Sequence, residues 1–151
     1  MSRLSDRAAA TAPLPSKPPD FTVIFDGGSK GNPGVGYGSF VLRRNADGVE
    51  RRQRLTLGNR VTSNEAEYDT LIRALEALLA WIGEMGLRPE DVSVEVRGDS
   101  QLVILQVRGD WKARKARMAA RRDRVLALAQ RFGAIQWEHQ PRLASLWIFG
   151  H

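Results

Sequence analysis

Three carboxylates in this 151-residue chain have neighbours that could set them to work together. Asp26 closes the apolar run "FTVIF" and precedes "GGSKGNPG"; Glu67 lies in the first turn of a long apolar-periodic segment; Asp99 directly follows "VSVEVRG". If the strands ending near Asp26 and Asp99 are parallel neighbours, their carboxylates emerge side by side. The N-terminus of the intervening helix can then bring Glu67 to both. Three carboxylates at such range repel unless a cation sits among them, and a hard, oxygen-preferring ion such as Mg²⁺ is the natural occupant. Each acid also has a plainer use. Asp26 can be incidental to a hairpin, Asn64 and Glu67 have the spacing of a capping box, and Asp99 can cap the helix after it.

The glycines after Asp26 invite two phosphate-binding readings, and both fail. A P-loop ends in Gly-Lys-Ser/Thr, which "GGSKGNPG" lacks. A dinucleotide fingerprint opens a helix, whereas "YGSFVLRR" alternates like a strand. The remaining functional reading is that Gly27 and Gly28 let backbone approach a bulky partner closely.

The elements that must position these groups follow from periodicity. "FTVIF", residues 36–44 and residues 49–57 read as strands, the last two joined by the hairpin signal "NADG". Tyr68, Leu71, Ile72, Leu75, Leu78, Leu79 and Ile82 form one helical stripe, entered through "TSN" and ended by Gly86. Val92, Val94 and Val96 mark a fourth strand, "SQLVILQVRG" a short helix, residues 112–132 another helix, and "AIQWEH" a last strand. The order βββ-α-β-α-α-β predicts a mixed α/β sheet.

Composition narrows the partners. The 23 Lys and Arg against 17 acids give a net charge of +6, which favours an acidic partner, nucleic acid above all. The absence of cysteine excludes disulfides and thiolate metal sites and fits a reducing cytosol, so a cytoplasmic location is expected. No segment approaches the roughly 20 apolar residues of a membrane span. Residues 1–20, rich in Pro, Ala and Ser, are expected to be a disordered arm, with one domain over 21–151. Residues 112–124 hold seven Lys or Arg and one acid beside Trp111. That is either a solvated helix face or a flat ring plus cations for sugar and phosphate.

The blocks "DGGSKGNPG", "TSNEAEYDTLIRAL" and "RGDSQLVILQVRGDWK" resemble, in order and spacing, the first three signature blocks of type 1 ribonuclease H, especially its compact archaeal and bacterial form. The resemblance runs from about residue 21 to residue 142. It implies a ribonuclease H-like fold, a five-stranded mixed sheet with flanking helices. It also implies an endonuclease that cuts the RNA strand of RNA·DNA hybrids with Mg²⁺ or Mn²⁺, leaving a 3′-hydroxyl and a 5′-phosphate. Asp26, Glu67 and Asp99 then match three of the family's four metal-binding carboxylates, Glu67 rather than Glu65 because the pattern Asn-x-Ala-Glu-Tyr runs from Asn64 to Tyr68. Asn32, Ser63, Asn64 and Gln101 fall where the family meets the minor groove, where amides and hydroxyls can read 2′-OH groups. Ser63 stands where Asn is commoner, so that contact is expected to be weaker. Trp111, Lys112 and Lys115 fall where the DNA strand would be gripped. A monomer is expected, and duplex RNA is a further candidate substrate.

The last block departs. The family pattern His-x-Pro-Arg-x-x-Asn-x-x-Ala-Asp is matched by His139, Pro141 and Arg142, but Ser145, Ile148 and Phe149 replace the Asn, Ala and Asp. No acid follows Glu138, and the family's final helix is expected to be missing. In the family two ions lie about 4 Å apart, and the missing acid helps hold the one that activates water. The second ion is therefore expected to bind weakly here. Three explanations stay open: a truncated or frameshifted product; a variant in which His139, His151 or the terminal carboxylate substitutes; or a non-catalytic binder of hybrids or duplex RNA.

Overall fold

The computed structural model describes residues 18–141. Five strands form one sheet: β1 (Phe21–Gly31), β2 (Gly34–Arg44), β3 (Val49–Val61), β4 (Ser93–Gly98) and β5 (Ala134–His139), in the order β3-β2-β1-β4-β5. β1, β2 and β3 pair antiparallel; β4 joins β1, and β5 joins β4, in parallel. Among the described residues three α-helices accompany the sheet: α1 (Ser63–Glu84), α2 (Gln101–Arg108) and α3 (Ala116–Ala129). This is the expected element order and the expected mixed sheet. The proposed arm, as far as residue 17, and the tail with Arg142, Ser145, Phe149 and His151 lie outside the described residues.

The core follows the two periodicities. Phe21, Val23 and Phe25 of β1, with Val94 and Val96 of β4 and the adjoining Val92, face the α1 stripe of Tyr68, Leu71, Leu75, Leu78 and Ile82, and all of them are buried. Each such side chain contributes roughly 1.5–3 kcal/mol relative to exposure. Ile72 and Leu79, at the margin of the stripe, are only partly buried against this core. The hairpin turn is made where "NADG" predicts it, with Gly48 at φ 75°.

Three expectations need correction. β1 does not end at Phe25 but continues through the glycines to Gly31, because β2 goes on pairing with it. The third helix spans 116–129, not 112–132. Residues 111–115 instead form an irregular segment, started by Gly109, which caps α2 in the left-handed conformation at φ 88°. The capping box of α1 is Thr62 with Glu65, not Asn64 with Glu67: Thr62 Oγ1 accepts from Glu65 N at 3.1 Å, and Glu65 Oε1 accepts from Thr62 N at 2.9 Å.

Candidate metal centre and nucleic-acid interface

The parallel pairing of β1 with β4 stops at Phe25 and Gly98. The next residue on each strand is Asp26 and Asp99, so the two carboxylates stand at the place where the sheet splits. Glu67 arrives from the first turns of α1. One oxygen from each of the three lies within 4.8 Å of the others. Asp26 and Glu67 are 3% and 8% exposed, so the cluster is sunk into the rim rather than spread on the surface.

The plainer uses of two acids are taken by their neighbours. Glu65 completes the α1 cap, and Ser100 Oγ caps α2 by accepting from Val103 N at 3.2 Å. Glu67 Oε1 accepts from Gly27 N at 3.3 Å, while the buried oxygens Glu67 Oε2 and Asp26 Oδ1 accept no hydrogen bond from the described residues. All three donors are hard carboxylate oxygens at a spacing that one small divalent cation can bridge, so the set fits Mg²⁺ or Mn²⁺. Gly27 makes the approach possible. A Cβ there would lie 2.7 Å from Ala66 O, in the backbone of α1. The close approach that its missing side chain permits is therefore made by this chain's own helix, where the sequence suggested a partner.

Other site candidates gather around this rim. Asn32 Oδ1 accepts from Ser63 N at 3.0 Å, which ties the β1–β2 turn to the start of α1 and sets Asn32, Ser63 and Asn64 together. Gln101 is exposed at the first position of α2. Gly28 packs under the Tyr37 ring, where a Cβ would meet the hydroxyl at 2.5 Å. His139 ends β5, and its Nε2 lies 3.3 Å from the Asp99 carbonyl oxygen, with no place in the three-carboxylate group. His151 is outside the described residues.

The basic tract divides in two. On α3, Arg117 pairs with Glu65 at 2.8 Å, Arg121 with Asp69 at 2.9 Å, Arg124 with Glu76 at 3.0 Å and Arg122 with Asp123 at 3.0 Å. Three of these bonds hold α3 against α1. Burial pushes the Glu65 carboxyl up, but the Thr62 N–H and the Arg121 and Arg117 guanidiniums outweigh it and hold the group below its ordinary value. By contrast Lys112, Arg114 and Lys115 are exposed and make no ion pair among the described residues. They follow Trp111, 45% exposed, whose N donates to Leu105 O at 3.1 Å at the end of α2.

Sequence reasoning passes over Gln106, whose signal is a lone amide inside "LVILQV". Buried beneath this segment, Gln106 accepts from Tyr68 OH at 2.6 Å through Oε1 and donates to Lys112 O at 3.3 Å through Nε2. Burial raises the Tyr68 phenol to about 12, so it stays neutral and donates. The residue after Glu67 is thus connected to the backbone of the basic segment.

The sequence matches, over residues 24–146, the family model described as "Reverse transcriptase-like". It is 38% identical over 123 residues to "Ribonuclease HI" of Halobacterium salinarum, covering 82% of this chain and 57% of that protein. The chain thus spans little more than half the length of that relative. It is 30% identical over 131 residues to "Ribonuclease H" of Nitrosospira multiformis, covering 85% of this chain and 76% of the other. Among solved structures it is similar to LC11-RNase H1 in complex with an RNA/DNA hybrid, at 28% identity and a TM-score of 0.73, over 82% of this chain and 87% of that one.

Proposed function

Since the chain belongs to the type 1 ribonuclease H family, we propose that it is a metal-dependent endonuclease cutting the RNA strand of RNA·DNA hybrids. The observation that carries the reading is the meeting of Asp26, Glu67 and Asp99 within 4.8 Å at the sheet rim. These three would hold the cation. Mg²⁺ or Mn²⁺ bound there would supply the positive charge that in-line attack of water on a phosphodiester requires, giving 3′-hydroxyl and 5′-phosphate ends. The chain's own groups supply the rest. Glu67 is oriented by the Gly27 N–H, Asn32, Ser63, Asn64 and Gln101 recognise the minor groove and its 2′-OH groups, and Trp111, Lys112 and Lys115 hold the DNA strand.

The test pairs cleavage with a readout independent of it. Purified protein is incubated with labelled hybrid across Mg²⁺ and Mn²⁺ concentrations, and its melting temperature is followed in the same series. Metal-dependent cleavage, with a metal-induced rise in Tm that Asp26→Asn abolishes, is the expected result. A Tm indifferent to metal would overturn the metal assignment.

A second reading has its own observation. Phe149 stands at the position that the family resemblance gives to a fourth carboxylate, which favours a chain that holds hybrids without cutting them. Salt-sensitive binding with no cleavage at any metal level would establish that reading over the first.

A further inference from the structure

The Asp26 face of the sheet continues past the carboxylates. Alternation and register set its side chains in rows: Asp26, Ser39 and Arg54; then Gly28, Tyr37 and Thr56; then Lys30 and Val35. With a strand rise near 3.4 Å and strands about 4.8 Å apart, Tyr37 stands about 8 Å from Asp26, measured between Cα atoms. Tyr37 is 38% exposed and Val35 43%. The Tyr37 ring lies across Gly28, where a Cβ would sit 2.7 Å from its Cζ, so one side of the ring is supported from below. Lys30 and Arg54 are exposed on either side and make no ion pair among the described residues. A depression of about 160 Å³ bounded by Ser39, Arg52 and Arg54 adjoins the first row.

A supported, half-open aromatic ring between two uncommitted cations has the chemistry of a platform for a base and its phosphates. A base inside a duplex has both faces stacked and offers neither. An unpaired nucleotide offers one. We propose that Tyr37, flanked by Arg54 and Lys30, is a landing site for a single-stranded extension of the RNA strand as it leaves the three carboxylates. The proposal rests on the hybrid reading above and adds a preference for junctions, where paired and unpaired RNA meet.

The experiment compares equilibrium binding, with metal chelated to prevent cleavage, of a blunt hybrid and of hybrids carrying a few unpaired nucleotides of RNA or of DNA at either end. For the unaltered protein an RNA overhang at one end should tighten binding on the order of tenfold. Tyr37→Ala should remove that gain and leave the blunt hybrid bound as before; Tyr37→Phe should keep it, and Arg54→Ala should reduce it. Equal affinity for blunt and overhung hybrids would overturn the proposal, as would a gain that survives Tyr37→Ala or that only DNA overhangs produce. Failure of the unaltered protein to bind any hybrid would instead sink the hybrid reading, and the platform with it.

Discussion

Segment 111–115 and helix α3 are consecutive, similarly basic and differently employed. In the first, Lys112, Arg114 and Lys115 stand exposed without ion pairs among the described residues. In the second, Arg117, Arg121 and Arg124 reach back to Glu65, Asp69 and Glu76 of α1. A cation already paired gives up that partner to meet a phosphate; an unpaired one releases only solvent and counterions. Net charge along a tract therefore overstates its grip on nucleic acid, and what counts is how many charges lack an internal partner.

The largest effect that could break this contrast is on salt dependence. Replacing Lys112, Arg114 and Lys115 together by Ala should make log K for hybrid binding shallower against log salt by about 2–3 units, at roughly 0.7–0.9 per phosphate contact. Replacing Arg117, Arg121 and Arg124 should leave that slope nearly unchanged. Equal slopes from the two triple variants, measured by titration at several salt concentrations, would erase the distinction.

Stability should show the reverse pattern. Glu65→Ala removes half of the α1 capping box and two contacts to α3, and should cost about 1–2 kcal/mol in denaturant unfolding. The triple variant of the exposed segment should stay within about 0.5 kcal/mol of the unaltered protein. Acid sharpens the point. Because the folded-state Glu65 carboxyl is held below 4.5, its contribution is complete above that pH and is lost as pH falls through the lowered value. Glu65→Gln should flatten the acid limb of the stability curve, whereas an unchanged limb would show that Glu65 is not depressed.

The smallest effect lies at the joint between the two regions. Gln106→Met removes the amide that links Tyr68 OH to Lys112 O. KM for hybrid should rise a few-fold with kcat and the midpoint for metal little changed, since the carboxylates themselves are untouched. A fall in kcat with constant KM would mean that the network serves the metal centre instead.

Element order and the three acids were legible because period-2 and period-3.6 patterns are strong in β1, β4 and α1 and the motif blocks are nearly contiguous. The cap was not. Thr62/Glu65 and Asn64/Glu67 offer the same spacing two residues apart, and the choice depends on where the helix begins. That point is set by the extension of β3 to Val61 and by the Asn32–Ser63 contact, both non-local. The inward use of the α3 arginines was hidden for the same reason. Arg117, Arg121 and Arg124 form one stripe and Glu65, Asp69 and Glu76 another, but nothing in either stretch says that the stripes face each other. Tyr37 looks like any alternating strand residue until pairing with β1 places it beside Gly28.

Gly27 has a consequence for anyone seeking a hardier version of this protein. Glycine inside a strand is ordinarily a weakness worth repairing, and β1 would tempt a designer to install a bulkier residue there. Any side chain would wedge against Ala66 O and prise α1 off the sheet, carrying Glu67 away from its two companions. The heat resistance sought would be lost along with the candidate metal centre.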